Sequence, residues 1–184
     1  LFSTVSPIML LLSHASLLAF LVPTLVAGQS VQEVLSTQPE LSQFRGLTTR
    51  FPNLLSTIGT NGGTLLAPSN AALTRYFNEV GVSDPATLSE ADLRALLSYH
   101  SVPLALRSTD LSRTGGALLR TALTDPLLAN LEGVPNVVFA SAFGSTGEEV
   151  TPSGLRVYSG IGTPANVTIP DVRFDAGYIH IIDR

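Results

Sequence analysis

The spacing of apolar residues predicts helices in the first part of the chain beyond residue 28. A short amphipathic helix begins at Val31, and Pro39 opens a second one, because apolar residues recur there at intervals of three and four. Residues 51–58 indicate a further short helix, which we expect to end at Gly59. The apolar faces of the first two helices consist of Val31, Val34, Leu35, Leu41, Phe44 and Leu47.

A strand followed at once by a helix is predicted next. Residues 64–67 fit a buried strand, and Pro68 then breaks it. Ser69 and Asn70 carry side-chain oxygens that can cap a helix over residues 71–77. The pattern therefore indicates a direct switch from strand to helix.

A further helix start is marked by Ser89. This serine can cap the first turn, and Asp92 stands three residues later as a shortened capping box. The helix should run from residue 90 to about His100, because Pro103 follows closely and disfavours helix before it. His100 shares a helix face with leucines at spacings of three and four, so we expect it to point inward with them.

Beyond residue 103 the pattern changes to short runs of β-branched or alternating residues, separated by Gly, Pro, Asn and Asp. A helix-rich first half followed by closely spaced strands predicts an α+β domain with a mainly antiparallel sheet. The loop 143–153 is rich in Gly, Ser, Thr and Glu, and we expect it to be the most mobile connection. The predicted strands are 104–111, 117–123, 136–142, 155–159, 166–169, 172–174 and 178–182.

The first residues form a separate, almost wholly apolar stretch. The run 8–27 is close to the ~20 residues of a membrane-spanning helix, so a signal anchor is one interpretation. A proline near its end, small residues after it and a polar continuation favour a cleaved signal peptide. We therefore predict a signal peptide over residues 1–28, cut after Gly28 or Ala27, and a single domain over 29–184.

Composition narrows the classes of function. The net charge is -4 and all ten basic residues are arginines spread thinly along the chain, so no basic surface for nucleic acid is predicted. The absence of cysteine excludes disulfides, thiolate metal sites and a cysteine nucleophile. Charged residues make up 13% and apolar residues 45%, which excludes a disordered charged chain.

Residues suited to catalysis or metal binding are few. Beyond the leader the histidines are His100 and His180, and they form neither an H-E-x-x-H motif nor an i, i+4 pair. Ser69 lies outside a G-x-S-x-G elbow, so capping is its simpler role. Residues 160–165 match G-x-G-x-x-A only formally, because a proline and a strand-like run replace the required helix. We expect no catalytic residue, no metal and no cofactor.

Two positions carry candidate functions. Asn166 begins an Asn-Val-Thr triplet, which is a glycosylation site if the chain is exported and otherwise an ordinary strand end. His100, beside Tyr99 at a helix end, can lock the turn through hydrogen bonds to the backbone. In the competing interpretation, Tyr99 and nearby apolar residues form a contact surface for a partner. Both interpretations can hold together.

Three stretches, in this order and spacing, resemble the boxes of the fasciclin-like domain family. Residues 64–73, TLLAPSNAAL, resemble its first box, and residues 96–103, LLSYHSVP, resemble its central Tyr-His box. Residues 177–183, GYIHIID, resemble its closing box. QEVL at 32–35 and PELSQF at 39–44 are similar to the family's opening helices. The resemblance covers almost the whole predicted domain.

The resemblance implies an α+β fold in which a wedge-shaped, mainly antiparallel β-sandwich is flanked by N-terminal helices. In the family the Tyr-His pair is linked to contact with an adhesion receptor, so the resemblance implies that role for Tyr99 and His100. Asn70 stands at the position of the first box where the family has an acidic or amide residue. The family pattern continues with further apolar residues, so we expect the domain to be cut short at Arg184. We assign structural roles to Pro68, Asn70, Pro103, His180 and Asp183.

The combined expectation is a secreted or cell-surface, non-enzymatic domain for cell adhesion or for contacts with extracellular matrix or cell wall. Its partners would be extracellular or surface proteins, or cell-wall or matrix polysaccharide, and not nucleic acid. Membrane contact would require an anchor outside this sequence or an uncleaved leader. An alternative is a secreted domain that binds a small ligand or lipid in an apolar cleft between helices and sheet. A hydrolase is the less favoured third possibility.

Overall fold

The computed structural model describes residues 28–129, 134–142, 154–160 and 163–184. The predicted signal peptide, apart from Gly28, and the predicted mobile loop 143–153 lie outside the described residues. Within the described parts, no helix combines the length and the apolar character needed to cross a bilayer.

Helices dominate residues 31–99, and the apolar face of each predicted amphipathic helix is buried. The helices of the described residues are α1 (Val31–Thr37), α2 (Ser42–Thr48), α3 (Pro52–Asn61), α4 (Asn70–Glu79), α5 (Glu90–Tyr99), α6 (Ser108–Leu111) and α7 (Pro126–Ala129), with 3₁₀ turns at Pro39–Leu41 and Pro85–Thr87. Serine side chains are the N-caps of α1, α4 and α5. The Ser89 hydroxyl accepts the backbone N–H of Asp92 at 3.1 Å, which satisfies a free donor in the first turn of α5.

The strands of the described residues form one seven-stranded sheet in the order β2-β1-β7-β6-β5-β4-β3. They are β1 (Gly63–Pro68), β2 (Ser101–Val102), β3 (Ala117–Arg120), β4 (Val137–Ala142), β5 (Leu155–Tyr158), β6 (Ala165–Phe174) and β7 (Gly177–Ile182). β1 and β7 are parallel, and the other neighbouring strands are antiparallel. The long strand β6 joins the two halves of the sheet, and its register with β7 shifts on both sides of Ile169.

The two faces of the central strands enter separate apolar cores. Leu65 and Ile179 face the helices, and Leu66 and Ile182 face residues of β4 and β5. The sheet therefore folds over on itself into a wedge, with one core inside the wedge and the other beneath the helices. This architecture confirms the predicted α+β fold, a mainly antiparallel wedge flanked by N-terminal helices.

One predicted helix end and one predicted strand are wrong. Helix α3 continues past its predicted end and stops before Gly62, whose φ of 80° requires the freedom of glycine. Residues 104–111 form an extended loop and α6 in place of a strand. The buried Thr64 hydroxyl holds this loop, since it donates to Leu104 O at 2.7 Å and accepts the N–H of Leu106 at 2.8 Å.

Candidate functional site

Tyr99 forms the last residue of α5 and connects it to the far half of the sheet. Its side chain is half-buried, and its hydroxyl forms a hydrogen bond with Ser159, the residue after β5. Burial raises the pKa of Tyr99, while the hydrogen bond with Ser159 acts in the opposite direction. The phenol therefore stays neutral and bridges the open side of the wedge.

His100 follows Tyr99 as the C-terminal cap of α5. Its Nδ1–H donates to Leu96 O at 2.8 Å, and its backbone N–H donates to the same oxygen at 3.2 Å. The His100 carbonyl accepts the N–H of Leu66 at 2.8 Å, which ties the helix end to β1. Burial lowers the pKa of His100, although the bond to Leu96 favours protonation. The ring meets Tyr99 edge-on, with centroids 5.8 Å apart.

A groove of about 620 Å³ lies between α4, α5 and the open side of the wedge. It is bounded by Tyr76 on α4, Leu96 and Tyr99 on α5, and Val157 on β5, and we call it the α4–α5 groove. His100 also lines it. The Tyr-His corner therefore faces an apolar depression, and a cleft of the kind that a ligand-binding domain requires is present.

His180 on β7 is buried and uses both of its ring nitrogens. Nε2–H donates to Leu106 O at 2.9 Å, and Nδ1 accepts the backbone N–H of Asp171 at 3.1 Å. Burial lowers the pKa of His180, whereas the bond to Leu106 and the charge of Asp171 oppose that shift. The ring therefore fastens the loop before α6 to β6, and neither nitrogen is available for proton transfer.

Asp171 has a φ of 59° and sits where β6 loses its regular register. Its carboxylate accepts the N–H of Ser108 at 2.7 Å and also the Ser108 hydroxyl. Serine, acid and imidazole thus cluster, but the acid contacts the serine and His180 contacts only the acid's backbone. A hydrolytic triad needs the imidazole between serine and acid, so this cluster does not have that geometry.

The other sites considered for chemistry have structural contacts. The Ser69 hydroxyl accepts the N–H of Ala72 at 3.3 Å and caps α4. Among the described residues there is no group of three or more His, Cys, Asp or Glu side chains that could hold a metal ion. In the glycine-rich segment, residues 161–162 lie outside the described residues, and Ala165 begins strand β6 where a pyrophosphate site would need a helix.

Asn70 connects the start of α4 to the 3₁₀ turn Pro39–Leu41 and to the start of α2. Its Nδ2 donates to Pro39 O and to the Ser42 hydroxyl, both at 3.0 Å. Its Oδ1 accepts the N–H of Gln43 at 2.9 Å, a free donor in the first turn of α2. One amide side chain thus satisfies three groups on a neighbouring element.

The two prolines assigned structural roles lie in different environments. Pro68 is buried, ends β1 opposite Ile182 and lines the α4–α5 groove. Pro103 is exposed and directly follows β2. Their effect on stability remains a prediction.

Asn166 and Asp183 are paired across β6 and the end of β7. The Asp183 carboxylate accepts the backbone N–H of Asn166 at 2.8 Å and its Nδ2–H at 2.6 Å. Although burial acts to raise it, the pKa of Asp183 is lowered by these bonds and by nearby Arg184 and Arg75. Asn166 and Thr168 of the sequon are both exposed, so the triplet is accessible at the surface.

The family model for the fasciclin domain matches residues 39–184. The chain belongs to the fasciclin domain family. The match contains all three boxes and both histidines, and it confirms the resemblance seen in the sequence.

This fasciclin domain also resembles individual proteins. It is 30% identical over 170 residues to the fasciclin-like arabinogalactan protein elcF of Phaeosphaeria nodorum, covering 91% of the chain and 50% of that relative. A solved FAS1 domain pair from the insect cell adhesion molecule fasciclin I matches with a TM-score of 0.58 at 16% identity, covering 84% of the chain and 49% of that structure. The second likeness supports the fold alone. The chain spans about half the length of these two relatives.

The sequence of this fasciclin domain did not predict two contacts, that of Tyr99 with Ser159 and that of His180 with Asp171. Ser159 is distant from Tyr99 along the chain and carries no motif. Asp171 has a signal in the sequence, because it lies in the gap between the predicted strands 166–169 and 172–174, where the register of β6 shifts. That break could have been interpreted as a bulge within one strand.

Proposed function

We propose that this fasciclin domain is a secreted or cell-surface, non-enzymatic adhesion module that binds extracellular or surface proteins. The observation that carries the proposal is the family match over residues 39–184. The solved relative is named as a cell adhesion molecule, and the fungal relative as an arabinogalactan protein. Both names and the predicted signal peptide support an extracellular or cell-surface location.

The hydrogen bonds of the histidines support a non-enzymatic role. His180 has both ring nitrogens bonded to backbone groups, and the Nδ1–H of His100 is bonded to Leu96. A general base must be able to accept a proton from a substrate or nucleophile. His180 lacks a free acceptor, and no nucleophile is bonded to His100 among the described contacts.

The partner contact is assigned to the Tyr99–His100 corner and the rim of the groove beside it. On that rim Tyr76 is 43% exposed and Val80 is 51% exposed. Aromatic side chains at the edge of an apolar depression are typical of the residues that dominate protein interfaces. A side chain of the partner that enters the depression would reach Tyr99 and His100.

The experiment compares attachment of cells to immobilised protein for rim and control variants. Tyr76→Ala and Val80→Ser should reduce attachment far more than they lower the unfolding midpoint, because about half of each side chain is exposed. Leu118→Ser on β3, where the leucine is 68% exposed, serves as the control and should leave attachment unchanged. Equal attachment of all variants would contradict the assigned contact.

The chemical class of the partner is tested on the same surface. Protease treatment of the cells should abolish attachment if the partner is a protein. Attachment that survives protease but is lost after glycosidase treatment would assign the partner to polysaccharide instead. No attachment under any condition, with correctly folded protein, would contradict the adhesion proposal itself.

A further inference from the structure

The α4–α5 groove is a preformed apolar cavity of the size that small ligands occupy. Its volume of about 620 Å³ lies inside the usual range of roughly 300–1,000 Å³ for small-molecule sites. Val138, Val157 and Ile182 of the wedge contribute to its walls, and Leu73 and Leu96 contribute from the helices. A long aliphatic ligand could cover these side chains without requiring the fold to open, and their removal from water would favour binding.

Three polar side chains on the groove walls, those of Asp92, Tyr99 and His100, are already bonded within the protein. The Asp92 carboxylate accepts the Ser89 hydroxyl at 2.6 Å, and the Tyr99 hydroxyl is bonded to Ser159. The Nδ1–H of His100 is occupied by a backbone carbonyl. Because these groups already have hydrogen-bond partners, a ligand does not need to bond to them, and the body of the ligand can be apolar.

Arg184 is the one positively charged residue among the described residues that line the groove. It is exposed and lies near Asp183, whose carboxylate already accepts two hydrogen bonds from Asn166. A guanidinium carries five N–H donors, and it binds carboxylates in a bidentate manner. Arg184 therefore provides a site for an anionic group at a mostly apolar groove, and the ligand's carboxylate must lie at Arg184 and away from the Asp92 carboxylate on the same groove lining.

We propose that the α4–α5 groove binds single-chain fatty acids. The alkyl chain packs against the leucine and valine side chains of the walls, and the carboxylate pairs with Arg184. The inference does not rest on the adhesion function, because binding of the fatty acid is measured without a partner. A fatty acid in the groove and a partner side chain that enters it would compete for the same space.

The test is a fluorescence titration of the full chain with dansyl-labelled undecanoic acid. We expect a saturable rise in dansyl emission that unlabelled dodecanoic acid reverses. Dodecanol, which has the same chain without the charge, should compete about tenfold less well. Arg184→Gln should remove this preference of the groove for the acid.

Variants that fill the groove separate specific binding from general surface binding. Ala95 lines the groove on α5, and Ala95→Trp should weaken probe binding about tenfold or more. Ala91 is exposed on the same helix outside the groove lining, so Ala91→Trp should change binding by less than about twofold. Thr163→Trp, at an exposed lining position, gives a second blocking variant if Ala95→Trp does not fold.

Three results would overturn the proposal. The first is the absence of saturable probe binding by the folded protein. The second is an equal effect of the tryptophan substitutions inside and outside the groove. The third is competition by dodecanol as strong as that by dodecanoic acid, which would remove the role of Arg184 and indicate an uncharged apolar ligand.

Discussion

The imidazole of His180 and the backbone of Asp171 are joined across β7 and β6 by a hydrogen bond of 3.1 Å, in which Nδ1 accepts the N–H. Nε2–H of the same ring donates to Leu106 O, so the neutral tautomer is fixed by its two neighbours. A protonated ring could not accept the N–H of Asp171. The contact therefore exists only while His180 is uncharged.

Acid should destabilise the domain through its two histidines. The pKa values of His180 and His100 are both lowered from 6.5 in the fold, mainly by burial. The unfolded chain then binds more protons, so their contribution to the free energy of unfolding is complete above about pH 6.5 and falls as the pH decreases below it. Urea unfolding at a series of pH values measures this dependence.

His180→Gln is the variant that isolates the effect of His180 on acid stability. It should be less stable than the wild type at neutral pH and should lose less stability between about pH 6.5 and pH 5. The carboxylate of Asp183, whose pKa is lowered, acts in a lower pH range and leaves this window unaffected. An unchanged pH slope in His180→Gln would contradict the assignment.

His100→Ala should cost about 1 kcal/mol of unfolding free energy, the lower part of the range for a lost hydrogen bond. The cost is small because Leu96 O keeps its bond from the backbone N–H of His100. His100→Asn can place an amide donor near the same oxygen and should recover part of the loss. Chemical denaturation measures the loss, and a variant of full stability that fails in cell attachment would instead indicate direct partner contact.

Asn70→Ala should destabilise the domain by about 1–3 kcal/mol, because three polar groups of the neighbouring element lose their partner. Asn70→Asp keeps an acceptor for Gln43 N–H but places a carboxylate oxygen against Pro39 O. It should therefore be intermediate in stability. Asn78→Ala, an exposed change of the same kind on the same helix, is the control, and equal stability of all variants would contradict the role of Asn70.

Glycosylation at Asn166 can be separated from its hydrogen bonds to Asp183 by two variants. Thr168→Val removes the sequon and the bond of the Thr168 hydroxyl to Ile181 O, but it leaves both Asn166–Asp183 contacts. Asn166→Gln removes the sequon and the Nδ2–H bond to Asp183, and it leaves the bond from the backbone N–H. Secreted protein should lose the same glycan mass in both variants, measured by mass spectrometry. Asn166→Gln should in addition be less stable by about 1 kcal/mol after enzymatic deglycosylation of all samples. Wild-type protein of unmodified mass would contradict glycosylation.

Local patterns predicted the elements well where one face of the chain is buried. The helix faces beginning at Val31 and Pro39 were correct because burial repeats at the helical period. The strand predicted at 104–111 is wrong because backbone groups of this segment bond to the buried hydroxyl of Thr64 in place of a neighbouring strand. No local signal in that segment indicates a partner forty residues earlier.

The site was predictable in its residues but not in its surroundings. The Tyr-His pair is visible in the sequence, whereas the groove it lines is formed by α4, α5 and strands from the second half. His100 was expected to point inward with the leucines of α5. It lines the groove beside Leu96, while Leu93 and Leu97 enter the core beneath the helices. The groove side and the core side of α5 are less than one helical turn apart, so the spacing of residues does not distinguish them.

The order of strands constrains how the protein can be made. β7 pairs in parallel with β1 along its whole length and also pairs with β6, yet it is the last of the described strands in chain order. Both cores lack a central strand until residues 177–182 have been made, so stable folding of the domain must await their synthesis. A domain that cannot fold early stays unfolded while it is being made. In that state it can pass through a translocation pore, as the proposed secretion requires.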